Sequence, residues 1–322
     1  MTTAFVLTGG ASLGAIQAGM LEALYEHDIR ADLVVGTSAG ALNGAFIADR
    51  PQTPQTAREL GDIWRHLNRN RVFPVNPLTG ALGFIGARNH LVPDSGLRKL
   101  LREYVIAELL EDTLVPLHVI ATDVLRGEEV RLSEGPLADA VLASAAIPGV
   151  LPSVSWDGRE LVDGGVSNNA PIRHALELGA DRVYLLPTAG PCELAEPPRG
   201  ALAMLVHATG LLVRQGLAHD LATLPGRERV VVLPPPCPIT VQPSDFSRAD
   251  LLIDESYAEA MRFLGSNPPE SVEDWRKRHL ETVGFDPTLA AELATTDTDL
   301  HELLNLLDRG CSPDLAARIL DE

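Results

Sequence analysis

Between Ala4 and Ile47 the chain is committed to two strand–turn–helix units in succession. Ala4–Thr8 is an apolar run ending at Gly9-Gly10, and Leu13–Tyr25 follows with Leu13, Ile16, Met20, Leu21 and Leu24 at helical spacing. Asp32–Val35 is a second apolar run, and the Ala-rich segment Ala39–Ile47 a second helix. Strands that are apolar throughout are buried on both faces. Two of them joined through a helix pair in parallel by a right-handed crossover. The alternation continues, with strands expected at 117–121, 129–132, 159–162, 182–186 and 229–233. Helices are expected at 56–67, 95–108, 137–146, 172–178, 201–221 and 254–263. The pattern predicts an α/β fold built on a parallel sheet.

Composition narrows the function classes. Hydrophobic residues make up 45% of the 322 and aromatic residues only 4%, which predicts a packed, largely aliphatic core. The net charge is −18, and lysine occurs only at Lys99 and Lys277. That balance argues against nucleic acid as a partner, because phosphate recognition needs a basic face. It also argues against docking on anionic membranes by bulk electrostatics. Cys192, Cys237 and Cys311 form no C-x-x-C pair, so neither a disulfide framework nor a zinc site is expected, and a reducing compartment fits best. No basic n-region opens the sequence, and no apolar run reaches the ~18 residues a membrane span needs. The expectation is a cytoplasmic chain that meets any lipid as a monomer or by transient contact with a membrane surface. Oligomeric state is not legible.

The stretch Arg71–Pro93, rich in Gly, Pro and Asn, reads as a long loop or lid. Beyond Asn267-Pro268-Pro269 the character changes to short amphipathic helices at 271–283, 287–294, 298–308 and 312–320, with N-cap signals at Ser271, Asp286 and Ser312. The chain therefore divides into a main domain, residues 1–265, and a helical extension, residues 266–322, to which the sequence assigns no role.

Gly36-Thr37-Ser38-Ala39-Gly40 matches G-x-S-x-G where it carries meaning, after a strand and at the start of a helix. A sharp turn there projects the Ser38 hydroxyl over the sheet edge. Gly36 and Gly40 leave room for the neighbouring strand and helix. Thr8-Gly9-Gly10-Ala11-Ser12-Leu13-Gly14 ends the first strand in small residues whose N–H groups converge, a geometry suited to a phosphate or a developing oxyanion. A dinucleotide-binding turn is the competing reading, but the middle glycine of that fingerprint is missing, and Asp32 begins its strand instead of ending it. Leu161-Val162-Asp163-Gly164-Gly165 places Asp163 at the carboxyl end of a strand. None of the nine histidines stands out as a base.

Taken in order, the glycine-rich loop, G-x-S-x-G and D-G-G resemble the patatin-like phospholipase family. Smaller matches are Ala121-Thr122-Asp123, Ser144-Ala145-Ala146-Ile147-Pro148 and Asn169-Ala170-Pro171. The resemblance runs from about Ala4 to Thr188, and more loosely to about Leu264. It implies a three-layer α/β/α sandwich and a serine acyl hydrolase acting on fatty-acyl esters of phospholipids, lysophospholipids or neutral lipids. It implies Ser38 as nucleophile, Asp163 as base within the Gly164-Gly165 motif, and an oxyanion hole at Gly9, Gly10 and Ala11. Neither a metal nor a cofactor is implied. The family's loop usually reads G-G-G-x-[RK]-G, whereas this chain has Ala11 for the third glycine and Leu13 for the basic residue. The lost cation suits neutral esters or lysolipids, and it motivates a second reading, a weakened, lipid-binding or regulatory protein on the same fold. A third is a Ser-His-Asp esterase of the α/β-hydrolase type, opposed by the single strand preceding the Ser38 strand.

Overall fold

The computed structural model describes residues 1–74, 87–189, 201–239, 241–266, 276–277, 280–296, 298, 303, 306–307 and 309–320. Thr2–Ser266 and Asn267–Glu322 are separate compact units. The larger contains β1 (Thr3–Leu7), β2 (Leu33–Thr37), β3 (Leu117–Asp123), β4 (Glu128–Leu132), β5 (Val154–Trp156), β6 (Arg159–Asp163), β7 (Arg182–Leu186) and β8 (Val230–Val232). β1 is central, with β2 on one side and β7 on the other, and β3, β2, β1, β7 and β8 run parallel.

β1 shows why the sheet is covered on both faces. Its residues alternate: Phe5 and Leu7 join one apolar cluster, Ala4 and Val6 another. The first cluster is formed with α1 (Ala15–Glu26), α2 (Ala39–Ala48), α3 (Pro54–His66), and the helices Ser95–Tyr104 and Ala249–Ser266. The second takes Ile172 and Ala175 from the helix Ile172–Glu177, and Leu217 and Leu221 from Ala201–Thr223. The result is the three-layer α/β/α arrangement. α1 is buried nearly all round, which is why its apolar residues mark no single stripe.

The register around β3 positions everything that follows. β4 takes one edge of β3 along Val119–Asp123. β2 and β6 share the other edge end to end: β2 lies parallel against Leu117–Ile120, and β6 lies antiparallel against Ala121–Asp123. Thr37 opposes Ile120 and Asp163 opposes Ala121, so the carboxyl ends of β2 and β6 point at each other.

Several boundaries differ from expectation. β5, only three residues long, was not anticipated, nor was the helical turn Arg69–Val72. The helix expected to reach Glu108 stops at Tyr104, because Val105 is extended (φ −104°, ψ 136°). The lid expected over 71–93 falls largely on residues 75–86, outside the described residues. At its described end, the N–H groups of Leu91 and Val92 are held by the Val150 carbonyl. Cys237 is disulfide-bonded and Cys311 is a free thiol. This corrects the expectation of no disulfide; spacing along the chain says nothing about cysteines that tertiary folding brings together. Among the described residues no helix is long and apolar enough to cross a membrane.

In the smaller unit, the helices Pro287–Ala294 and Pro313–Leu320 appear where expected, the first capped by Asp286, whose carboxylate accepts the Thr288 N–H at 2.9 Å. Leu280, Phe285, Ala290, Leu293, Leu303 and Ala317 form its core. The helices expected at 271–283 and 298–308 fall mostly outside the described residues.

Candidate active site

Ser38 links β2 to α2 with φ 54° and ψ −119°, a conformation L-residues rarely adopt and one that costs on the order of 1–3 kcal/mol. Two contacts hold it there. A Cβ on Gly40 would lie 2.1 Å from the Leu7 carbonyl oxygen, so only glycine lets the start of α2 press against the end of β1. The Ser38 N–H donates to Ser144 Oγ at 2.8 Å, and Ser144 Oγ donates to the Ile120 carbonyl at 2.5 Å. The turn that aims the hydroxyl is thereby tied to β3.

The Ser38 hydroxyl donates to Asp163 Oδ2 at 2.7 Å. The other carboxylate oxygen, Oδ1, accepts the Gly165 N–H at 2.8 Å, and Thr122 Oγ1 donates to the Asp163 carbonyl at 2.9 Å. Burial pushes the Asp163 pKa up to about 6, against the opposing pull of the Ser38 and Gly165 hydrogen bonds. A carboxylate in that range is a far better proton acceptor than one at its ordinary value.

The glycine-rich loop lies beside Ser38, since a Cβ on Gly9 would come within 2.9 Å of Ser38 Cβ. The turn Ala11–Gly14 is a 3₁₀ helix, whose leading N–H groups have no partner within it. Ser12 N–H donates to the Pro243 carbonyl and Leu13 N–H to the Gly10 carbonyl, leaving those of Gly10 and Ala11 as donors that no other described residue engages. Ala11 has φ 51°, the left-handed region where the third glycine of the family loop would sit without strain. Ala11→Gly is therefore expected to raise unfolding free energy by about 0.5–1 kcal/mol, the relief of strain exceeding the extra chain entropy of glycine. Urea denaturation measures it, and an unchanged or lower midpoint refutes it.

An apolar pocket opens from Ser38 and Ala11, walled by Leu42, Phe46, Trp64 and Leu101 among others. The amide of Asn43 in its wall is fully engaged: Nδ2 donates to the Gly14 carbonyl (2.9 Å) and Gln17 Oε1 (2.8 Å), while Oδ1 accepts Trp64 Nε1–H (2.9 Å). No histidine among the described residues lines this pocket. Among the described residues, no group of three or more His, Cys, Asp or Glu side chains could hold a metal ion.

Structure brings Ser38, Asp163, Gly165 and the Gly9–Ala11 loop together, with Gly36 packed against the Gly40 carbonyl beneath. Leu13 is instead buried in the core. Asp32 lies at the opposite end of the sheet, where it accepts the Thr3 N–H at 2.7 Å, an arrangement unrelated to ribose recognition. Ser144 and Thr122 lay inside sequence matches without an assigned part; Thr188 and Asn43 carried no local signal.

A family model described as patatin-like phospholipase matches residues 5–176. An uncharacterised NTE family protein of Mycobacterium tuberculosis is 29% identical over 226 residues, 68% of this chain and 59% of that protein. Patatin-like phospholipase domain-containing protein 6 of Homo sapiens is 32% identical over 190 residues, 58% of this chain and 13% of that protein. The chain thus spans well under two thirds of the length of these relatives. Among solved structures, VipD from Legionella pneumophila superposes with a TM-score of 0.43 at 16% identity, covering 96% of this chain and 75% of that one. With the family model matched over more than half its length, the chain belongs to the patatin-like phospholipase family.

Proposed function

We propose that the chain is a serine acyl hydrolase that cleaves fatty-acyl ester bonds through Ser38 and Asp163. The observation that carries this reading is the 2.7 Å hydrogen bond from a strained, pocket-facing serine to a buried carboxylate with a raised pKa. Asp163 takes the Ser38 proton as Oγ attacks the ester carbonyl. The N–H groups of Gly10 and Ala11 receive the negative charge that forms on the carbonyl oxygen, a contribution on the order of 3 kcal/mol per donor. The protonated Asp163 then returns its proton to the leaving alcohol. A water molecule, deprotonated by Asp163, attacks the acyl-serine and releases the fatty acid, restoring the dyad.

The apolar pocket beside Ser38 suits an acyl chain. A basic residue at position 13 would suit phosphate-bearing lipids, and its replacement by Leu13 favours neutral esters or lysolipids. The activity is assigned to residues 1–265, with 266–322 as an extension, and the enzyme is read as touching membranes transiently. Incubation with a fluorophosphonate tests the nucleophile directly. One equivalent of label should attach, and peptide mapping should find it on Ser38; label on another residue, or none on the folded wild type, overturns the assignment.

A further inference from the structure

An oxyanion hole works only if its N–H groups point at the place where charge develops, and a donor in a glycine-rich loop has little of its own to hold that direction. The plane of a peptide is rigid, and its C=O and N–H point to opposite sides. Whatever grips the carbonyl of one residue therefore aims the N–H of the next.

The Gly9 carbonyl is gripped. Thr188 Oγ1 donates to it at 2.5 Å, and Asn169 Nδ2 lies 3.4 Å from the same oxygen. Thr188 follows β7 and is 2% exposed. Its own orientation is set by Thr8, which lies across from it at the end of the adjacent β1. Thr188 N–H donates to Thr8 Oγ1 at 3.0 Å, and the two hydroxyls lie 3.3 Å apart. One peptide earlier, the Thr8 carbonyl accepts Gln17 Nε2–H at 2.9 Å, and the same amide donates to the Leu186 carbonyl. A second observation concerns Gly10. A Cβ there would fall 2.3 Å from Thr188 Oγ1 and 2.6 Å from its Cβ. The packing of Thr188 thus demands glycine at position 10.

We propose that Thr188 is a positioning residue for ester hydrolysis: its hydroxyl, seated on the Gly9 carbonyl, fixes the Gly9–Gly10 peptide plane and so aims the Gly10 N–H at the developing oxyanion. The proposal rests on the acyl-hydrolase reading above. Donation to the carbonyl also polarises the peptide and makes that N–H a stronger donor.

The test compares p-nitrophenyl butyrate hydrolysis by the full-length wild type, Thr188→Val, Thr188→Ser and Ser38→Ala. Losing a whole oxyanion donor costs about 10²–10³ in kcat, so a misdirected one is expected to cost about tenfold or more. Thr188→Val should show that loss in kcat with KM within about twofold, and Thr188→Ser, which keeps the hydroxyl, should recover most of it. Should Thr188→Val fail to fold, Thr188→Ala removes the same hydroxyl without added bulk. A folded, hydroxyl-free variant with wild-type kcat overturns the proposal and leaves the dyad standing. So does a loss spread equally over kcat, KM and thermal midpoint, the mark of a merely structural residue. Ester turnover that survives in Ser38→Ala, or its absence in the wild type, instead removes the acyl-hydrolase reading, and this proposal with it.

Discussion

Ser38→Ala is expected to lower kcat/KM for a p-nitrophenyl ester by about 10⁴-fold or more, and Asp163→Asn by about 10³-fold or more. The two changes remove different things. Alanine deletes the atom that forms the acyl bond. Asparagine keeps the shape and both hydrogen bonds, because its carbonyl oxygen can accept the Gly165 N–H while its amide donates to Ser38 Oγ. What it loses is the ability to accept a proton. A large defect in Asp163→Asn therefore isolates base catalysis from positioning. The residues of a catalytic unit are also strongly non-additive, so the double variant should be no worse than Ser38→Ala alone. Steady-state kinetics at pH 7.5 decides it. Asp163→Asn within tenfold of wild type would mean that another group takes the proton, and a double variant far below either single one would mean that the two residues act separately.

How much of this was legible in the sequence follows from how local each signal is. Ser38 could be read because its whole turn lies within five residues, between an apolar strand and an Ala-rich helix. Asp163 could be read as a strand-end residue ahead of two glycines. What no local pattern carried is the arrangement that joins them: β2 and β6 meeting end to end on one edge of β3, with Thr37 against Ile120 and Asp163 against Ala121. That register is a property of pairing across long separations in the chain. The supporting polar residues were hidden for a related reason. Ser144, Thr122, Thr188 and Gln17 act by hydrogen-bonding backbone groups of distant segments, and a buried Ser or Thr in an apolar run looks the same whether or not it does so. The three-residue strand β5 is too short to show a period of two. Ala11 in place of glycine is visible in the sequence, but its consequence, a left-handed backbone forced on a residue with a Cβ, arises only from the folded turn.

Acidification should move activity and the contribution of Asp163 to stability in opposite directions. Its folded-state pKa of about 6 lies above the value of an unfolded aspartate, because burial penalises the charge. Hydrolysis needs the carboxylate, so kcat/KM should be flat at alkaline pH, half-maximal near pH 6 and falling tenfold per pH unit below that. Stability follows the opposite sign. Between about pH 4 and 6 the folded state holds a proton on Asp163 that the unfolded chain has released, so this group's contribution weakens as pH rises through that window and is fully lost above it. Above pH 6 the folded protein carries a buried charge, at a cost on the order of 3 kcal/mol relative to a neutral side chain. Asp163→Asn removes the charge and keeps the hydrogen bonds. The inactive variant should therefore be more stable than wild type at pH 7.5 by up to about that amount, with the difference closing as pH approaches 4. Urea denaturation of both proteins at pH 7.5 and 4.5 reads the gap. A variant less stable than wild type at pH 7.5, or a gap that does not shrink with acid, would mean that Asp163 is held as a well-stabilised carboxylate. In that case the hydrogen bonds from Ser38 and Gly165, and not burial, set its charge.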